Sequence, residues 1–207
     1  MATEAQALIL ELDGVLSKAP APAAWRAKIL RRVTDLFLLD AAAYSHDQVA
    51  VFDDVIGHLI AKADRRLLVE LSNRLAQAKN APLNVVGTLA RHTDMLIAGP
   101  LLEKSSVLTD TDLVEIADKD RRDPALLSLV AARARLSEAV TDILIKRGNP
   151  ALVRRIVDRP DAPISEASFA RMVTSLDKDK TLATAIATRP DLPAELRPWL
   201  DAALAAG

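Results

Sequence analysis

The chain has 207 residues, enough for one domain or one domain with a subsidiary cap; half are apolar, yet aromatics make up only 3%. Ala, Leu, Val and Ile must therefore fill the core, which suits close helix packing, and a chain of this size buries roughly 70% of the surface its unfolded form exposes. A formal net charge of −1 lacks the strongly basic footprint of a nucleic-acid binder, and the absence of cysteine excludes disulfides, thiolate nucleophiles and Cys-ligated metals.

Met1-Ala2-Thr3-Glu4 shows no basic stretch followed by an apolar one, so no secretory signal is expected. Apolar runs such as Leu36 to Leu39 are far too short to cross a bilayer, and a cytoplasmic protein without membrane insertion is expected. Residues 3–17 read as a first helix, with Leu8, Leu12, Val15 and Leu16 near helical spacing. Lys18 to Ala24, with two prolines among alanines, reads as a connector. A second helix runs from about Pro22, a residue suited to a helix start, to Leu39; its apolar face is Trp25, Ile29, Val33, Leu36 and Phe37. Ser45-His46-Asp47-Gln48 fits a capping box in which Ser45 accepts a backbone N–H and Gln48 reaches back. The third helix then buries Val49, Phe52, Val55, Ile56 and Leu59.

From residue 64 the pattern repeats. Five starts of a helix A are Asp64, Asp94, Asp123, Asn149 and Asp179, each a good N-cap residue. Counting the cap as position 1, position 4 is Leu67, Ile97, Leu126, Leu152 and Leu182, and position 8 is Leu71, Leu101, Val130, Ile156 and Ile186, one inward ridge. A helix B opens at Leu108-Thr109, Leu136-Ser137, Ile164-Ser165 and Leu192-Pro193, a fixed 28-residue period. Eight residues after each apolar start stands Ile116, Leu144, Met172 or Leu200. An earlier B helix opens at Ala81-Pro82 and carries Val85, Val86 and Leu89. A single A–B pair cannot bury its apolar face alone, whereas stacked neighbours make a continuous core. The expected fold is all-α: an α-solenoid of about five short helix-pair repeats over residues 63–207, with an N-terminal three-helix cap over 1–62 and the Ala-rich end Asp201 to Gly207 closing the stack. Pro100 falls inside the A helix that starts at Asp94 and cannot donate to the Leu96 carbonyl, so a kink or restart is expected there.

The sharpest surface feature is position 11 of helix A, basic in all five repeats: Arg74, Lys104, Arg133, Arg159 and Arg189. In a stack these would line one edge roughly 10 Å apart, the usual helix packing distance. Two readings stay open. The residues form a cationic ladder for an acidic partner, or they serve the helix ends, where a cation gains about 0.3–1 kcal/mol from the dipole. Lys146-Arg147 and Arg154-Arg155 add charge mid-stack and read first as solvated helix faces, like the acids Asp110, Asp112, Glu115, Asp118 and Asp120.

Chemical constellations are missing. His46, His58 and His92 include no pair four residues apart and no His-Glu-x-x-His, and Ser45 next to His46 does not make a triad. No phosphate-binding glycine loop and no EF-hand loop occur, and the neighbouring acids Asp53-Asp54 diverge by about 100° on a helix. Neither a cofactor nor a metal is expected. Trp25, Phe37, Phe52 and Phe169 are core candidates, while Trp199 and Tyr44 are the expected exposed aromatics. Two distant aromatics do not make a stacking platform for single-stranded nucleic acid.

Three segments carry a family resemblance: Arg31-Arg32-Val33-Thr34-Asp35-Leu36-Phe37-Leu38, Ile97-Ala98-Gly99-Pro100-Leu101-Leu102, and Leu136-Ser137-Glu138-Ala139-Val140-Thr141-Asp142. Over residue 25 to the C-terminus the chain resembles the bacterial, largely alphaproteobacterial, family known as domain of unknown function 2336. The resemblance implies a cytoplasmic, all-helical, HEAT-like protein and carries over no catalytic residue. Members are often longer than this chain, which leaves room for a region beyond residue 207. The functional expectation is a non-enzymatic module that binds a protein or peptide along its repeat surface, an acidic one if the ladder is used. Two rivals remain. One is a nucleic-acid backbone binder, disfavoured because residues 63–207 carry 21 basic and 20 acidic residues. The other is an enzyme or small-ligand sensor with a pocket between cap and first repeats, near His58, His92 and Gly99-Pro100.

Overall fold

The computed structural model describes residues 23–118, 124–176 and 179–205. Over these the chain is all-α, with twelve α-helices, one short 3-10 turn and no strand among the described residues. The helix expected over residues 3–17, the connector up to Pro22 and the A start at Asp123 lie outside the described residues. The chain divides into two compact units, residues 1–101 with 105–107, and residues 102–104 with 108–207.

Unit 1 holds α1 (Ala23–Leu39), α2 (His46–Ile60), α3 (Arg65–Leu75), α4 (Leu83–Ala90) and the larger part of α5 (Met95–Lys104). α1 packs on α2 and α3, and α4 packs on α2 and α3. The buried stripe of α1 is Leu30, Val33, Thr34 and Phe37, while Trp25, Ile29 and Leu36 are only half-buried. The stripe is rotated by about one residue from the apolar pattern, and Thr34 is tolerated in it because its hydroxyl donates to the Leu30 carbonyl at 2.7 Å and leaves no unpaired donor. Arg31–Glu70 and Arg74–Asp35 pair α1 with α3 along its wet edge. Tyr44 is half-buried rather than exposed: its ring stacks on Phe37 at 6.0 Å and meets Phe52 at 5.1 Å, and its hydroxyl donates to the Leu36 carbonyl.

The capping box at Ser45 is present in both directions. α4 has no side-chain cap of its own, since Pro82 occupies its N-cap position. The buried Asp53 of α2 supplies it, accepting from the Asn84 and Val85 amides at 2.9 and 2.8 Å. Asp53→Ala is expected to lower stability by about 1–3 kcal/mol by orphaning the buried Val85 amide and the half-buried Asn84 amide, and Asp53→Asn, which keeps one acceptor oxygen, by about half of that; urea midpoints of the two variants check it. Met95–Lys104 runs as one helix with Pro100 inside, so of the kink or restart expected there the restart does not occur. Leu96 is half-exposed, so water can meet the carbonyl that Pro100 leaves unpaired.

Unit 2 holds α6 (Asp110–Asp118), α7 (Pro124–Ala131), α8 (Glu138–Arg147), α9 (Pro150–Val157), α10 (Glu166–Thr174), α11 (Lys180–Ala187), the 3-10 turn Ala194–Leu196 and α12 (Arg197–Ala205). α7 packs on α9 and α9 on α11, while α6 packs on α8 and α8 on α10; α12 packs on α11. The inward ridge matches the sequence pattern at Leu126, Val130, Leu152, Ile156 and Ile186, with Leu182 half-buried, and the B positions Ile116, Leu144, Met172 and Leu200 are all buried. Local capping is dense. Asp64, Asp94, Asn149 and Asp179 each accept a first-turn amide, as do Ser137 and Ser165, and Thr109 exchanges hydrogen bonds with Asp112. Gly148 closes α8 so tightly that a Cβ would lie 2.6 Å from the Leu144 carbonyl oxygen.

Two of the cap carboxylates titrate low. Asp94 is held below the ordinary carboxylate value first by its hydrogen bond from Arg65 and then by the Leu96 amide; Asp179 is held down first by the Leu182 amide. A depressed folded value means their contribution is present above the unfolded value and is lost as pH falls through the folded one. Asp179→Asn, which keeps an acceptor oxygen but cannot titrate, is therefore expected to flatten the acid limb of a stability-versus-pH curve below pH about 4.

Candidate functional site

The position-11 residues are placed by the A-helix register at helix C-termini, and the structure gives them different partners. In unit 1 Arg74 pairs with Asp35 of α1. Lys104, the last residue of α5, is exposed. In unit 2 three guanidinium groups turn inward onto backbone carbonyls of the preceding A helix. Arg133 donates to the Leu102 carbonyl at 2.8 Å. Arg159 donates to the Ala131 and Arg133 carbonyls, both at 2.8 Å, and more weakly to Ala134. Arg189 donates to the Val157, Arg159 and Ala162 carbonyls at 3.1, 2.6 and 2.7 Å. In all three cases one acceptor lies two residues before the preceding basic position, at Leu102, Ala131 and Val157.

This arrangement uses what a guanidinium is built for: planar donors in a fixed fork, meeting the carbonyls a helix end leaves unpaired. Arg159 and Arg189 are further held by carboxylates two residues on, Asp161 and Asp191, in bidentate pairs. Arg189 is buried, its side chain only 3% exposed, with its guanidinium 5.9 Å from the centre of the Phe169 ring. A buried charge is tolerated here because carbonyl and carboxylate oxygens surround it. The Asp161 carboxyl is pushed below its ordinary value first by Arg159, and the charge of Arg189 adds to the effect. Burial lowers the pKa of Arg133. The signal for these carboxylates was in the sequence, as Arg-Pro-Asp-x-Pro at 159–163 and again at 189–193.

The other basic pairs also tie helices together. Arg154 donates to the Thr181 carbonyl of α11 and pairs with Asp158, Arg155 reaches the Ser128 carbonyl of α7, and Lys146 of α8 sits 3.4 Å from Asp118 of α6. Lys146 and Arg147, with Pro124, Leu127, Asn149 and Leu152, line a cleft of about 280 Å³ in unit 2. His58 is exposed, and His92 accepts the Asp94 amide through Nδ1 at 2.9 Å. Among the described residues no group of three His, Asp or Glu side chains is placed to hold a metal ion, and no helix is long and apolar enough to cross a membrane. Exposed large apolar side chains are Leu39, Leu83, Met95, Leu96 and Trp199; Trp199, at 70% exposure, fits the expectation for that residue.

A family model described as an uncharacterised protein conserved in bacteria (DUF2336) matches residues 97–206, more than half of the chain. The match includes the segments Ile97–Leu102 and Leu136–Asp142 and begins beyond Arg31–Leu38. No curated protein and no solved structure matches the chain. The arginine-to-carbonyl links from Arg133 to Arg189 and the helix pairs they join lie within the matched residues, and the chain belongs to this bacterial DUF2336 family.

Proposed function

We propose that the chain is a non-enzymatic, cytoplasmic interaction module, an α-solenoid of HEAT-like helix pairs that binds a protein or peptide along its repeat surface. The observation that carries this reading is the series Arg133, Arg159 and Arg189, each bonded to the end of the preceding A helix, a device that holds successive pairs in one register. Repeats held in register offer equivalent surface positions at regular spacing, which suits an extended partner. The internal bonding of Arg159 and Arg189 shifts the proposed contact to the cations that face water, Lys104 first, with Lys146 and Arg155 beside the neighbouring repeats.

Affinity capture from native lysate with wild type, Lys104→Glu and Lys104→Glu/Lys146→Glu tests the reading. These positions are exposed, so the fold should persist by circular dichroism. A specific protein bound by wild type and lost stepwise by the variants is the expected result. Capture of no specific protein, or capture indifferent to both changes, removes the support. The cleft beside Lys146 and Arg147 favours one second reading, a sensor of a small anion. A thermal-shift screen of organic acids and phosphates would register it as a stabilisation of about 2.7 kcal/mol at a hundredfold excess over Kd.

A further inference from the structure

No further inference is drawn: the strongest candidate, the cleft of unit 2 lined by Leu127, Lys146, Arg147 and Leu152, belongs to the small-anion reading already given, and with its Lys146 paired to Asp118 nothing in the structure narrows that ligand further.

Discussion

Arg189→Ala should lower the unfolding free energy by about 3–5 kcal/mol, the range for removing one partner of a buried charged network. The change strips donors from three carbonyls and leaves the Asp191 carboxylate without its bidentate partner. Against a total stability of about 5–15 kcal/mol for a folded domain, that loss is a large share and is easily read from a urea midpoint. Arg189→Lys keeps the charge and loses the fork, so it should recover about half of the loss. Arg159→Ala should cost less, about 1–3 kcal/mol, because its side chain is 22% exposed and water can reach the acceptors it abandons. An Arg189→Ala variant within about 1 kcal/mol of wild type would show that the inward bonds do not hold the fold and that the guanidinium is free for other work.

The second large effect is at Phe169, which is 0% exposed on α10 and presents its ring to Arg189. Phe169→Ala should cost about 3–5 kcal/mol through the lost transfer energy and the cavity left behind. Phe169→Leu fills much of that volume but removes the ring face from the guanidinium, so it isolates the cation–π share, about 0.5–2 kcal/mol. In a double-mutant cycle with Arg189→Ala, a coupling of that size is expected; zero coupling would mean that the ring acts as packing alone.

Much of the helical architecture was legible in the residues. Ser45 with Gln48, the Asp and Asn caps at 64, 94, 149 and 179, and the buried series Ile116, Leu144, Met172, Leu200 all follow from patterns three, four or eight residues long. Such patterns report a helix to itself, since a cap and its amide belong to one turn. What the residues left unread shares a cause. Tyr44 stands in a polar-flanked connector, yet Phe37 and Phe52 from two helices close over it. Pro82 offers α4 no cap, and the missing acceptor comes from Asp53, about thirty residues earlier in the chain.

The same division applies to the candidate site. The order of residues alone makes positions 74, 104, 133, 159 and 189 basic, puts them at the ends of A helices, and sets Arg-Pro-Asp twice at that place. Where the charges go is set by packing: Arg74 to a carboxylate on α1, Lys104 to solvent, and Arg133, Arg159 and Arg189 to carbonyls 25 to 32 residues away. The physical reason is that the acceptors are backbone oxygens. Every residue carries one, so no side-chain letter marks the partner. The choice between a cation facing water and one bonded inward is made by whether the preceding helix end lies within reach, which stacking alone fixes.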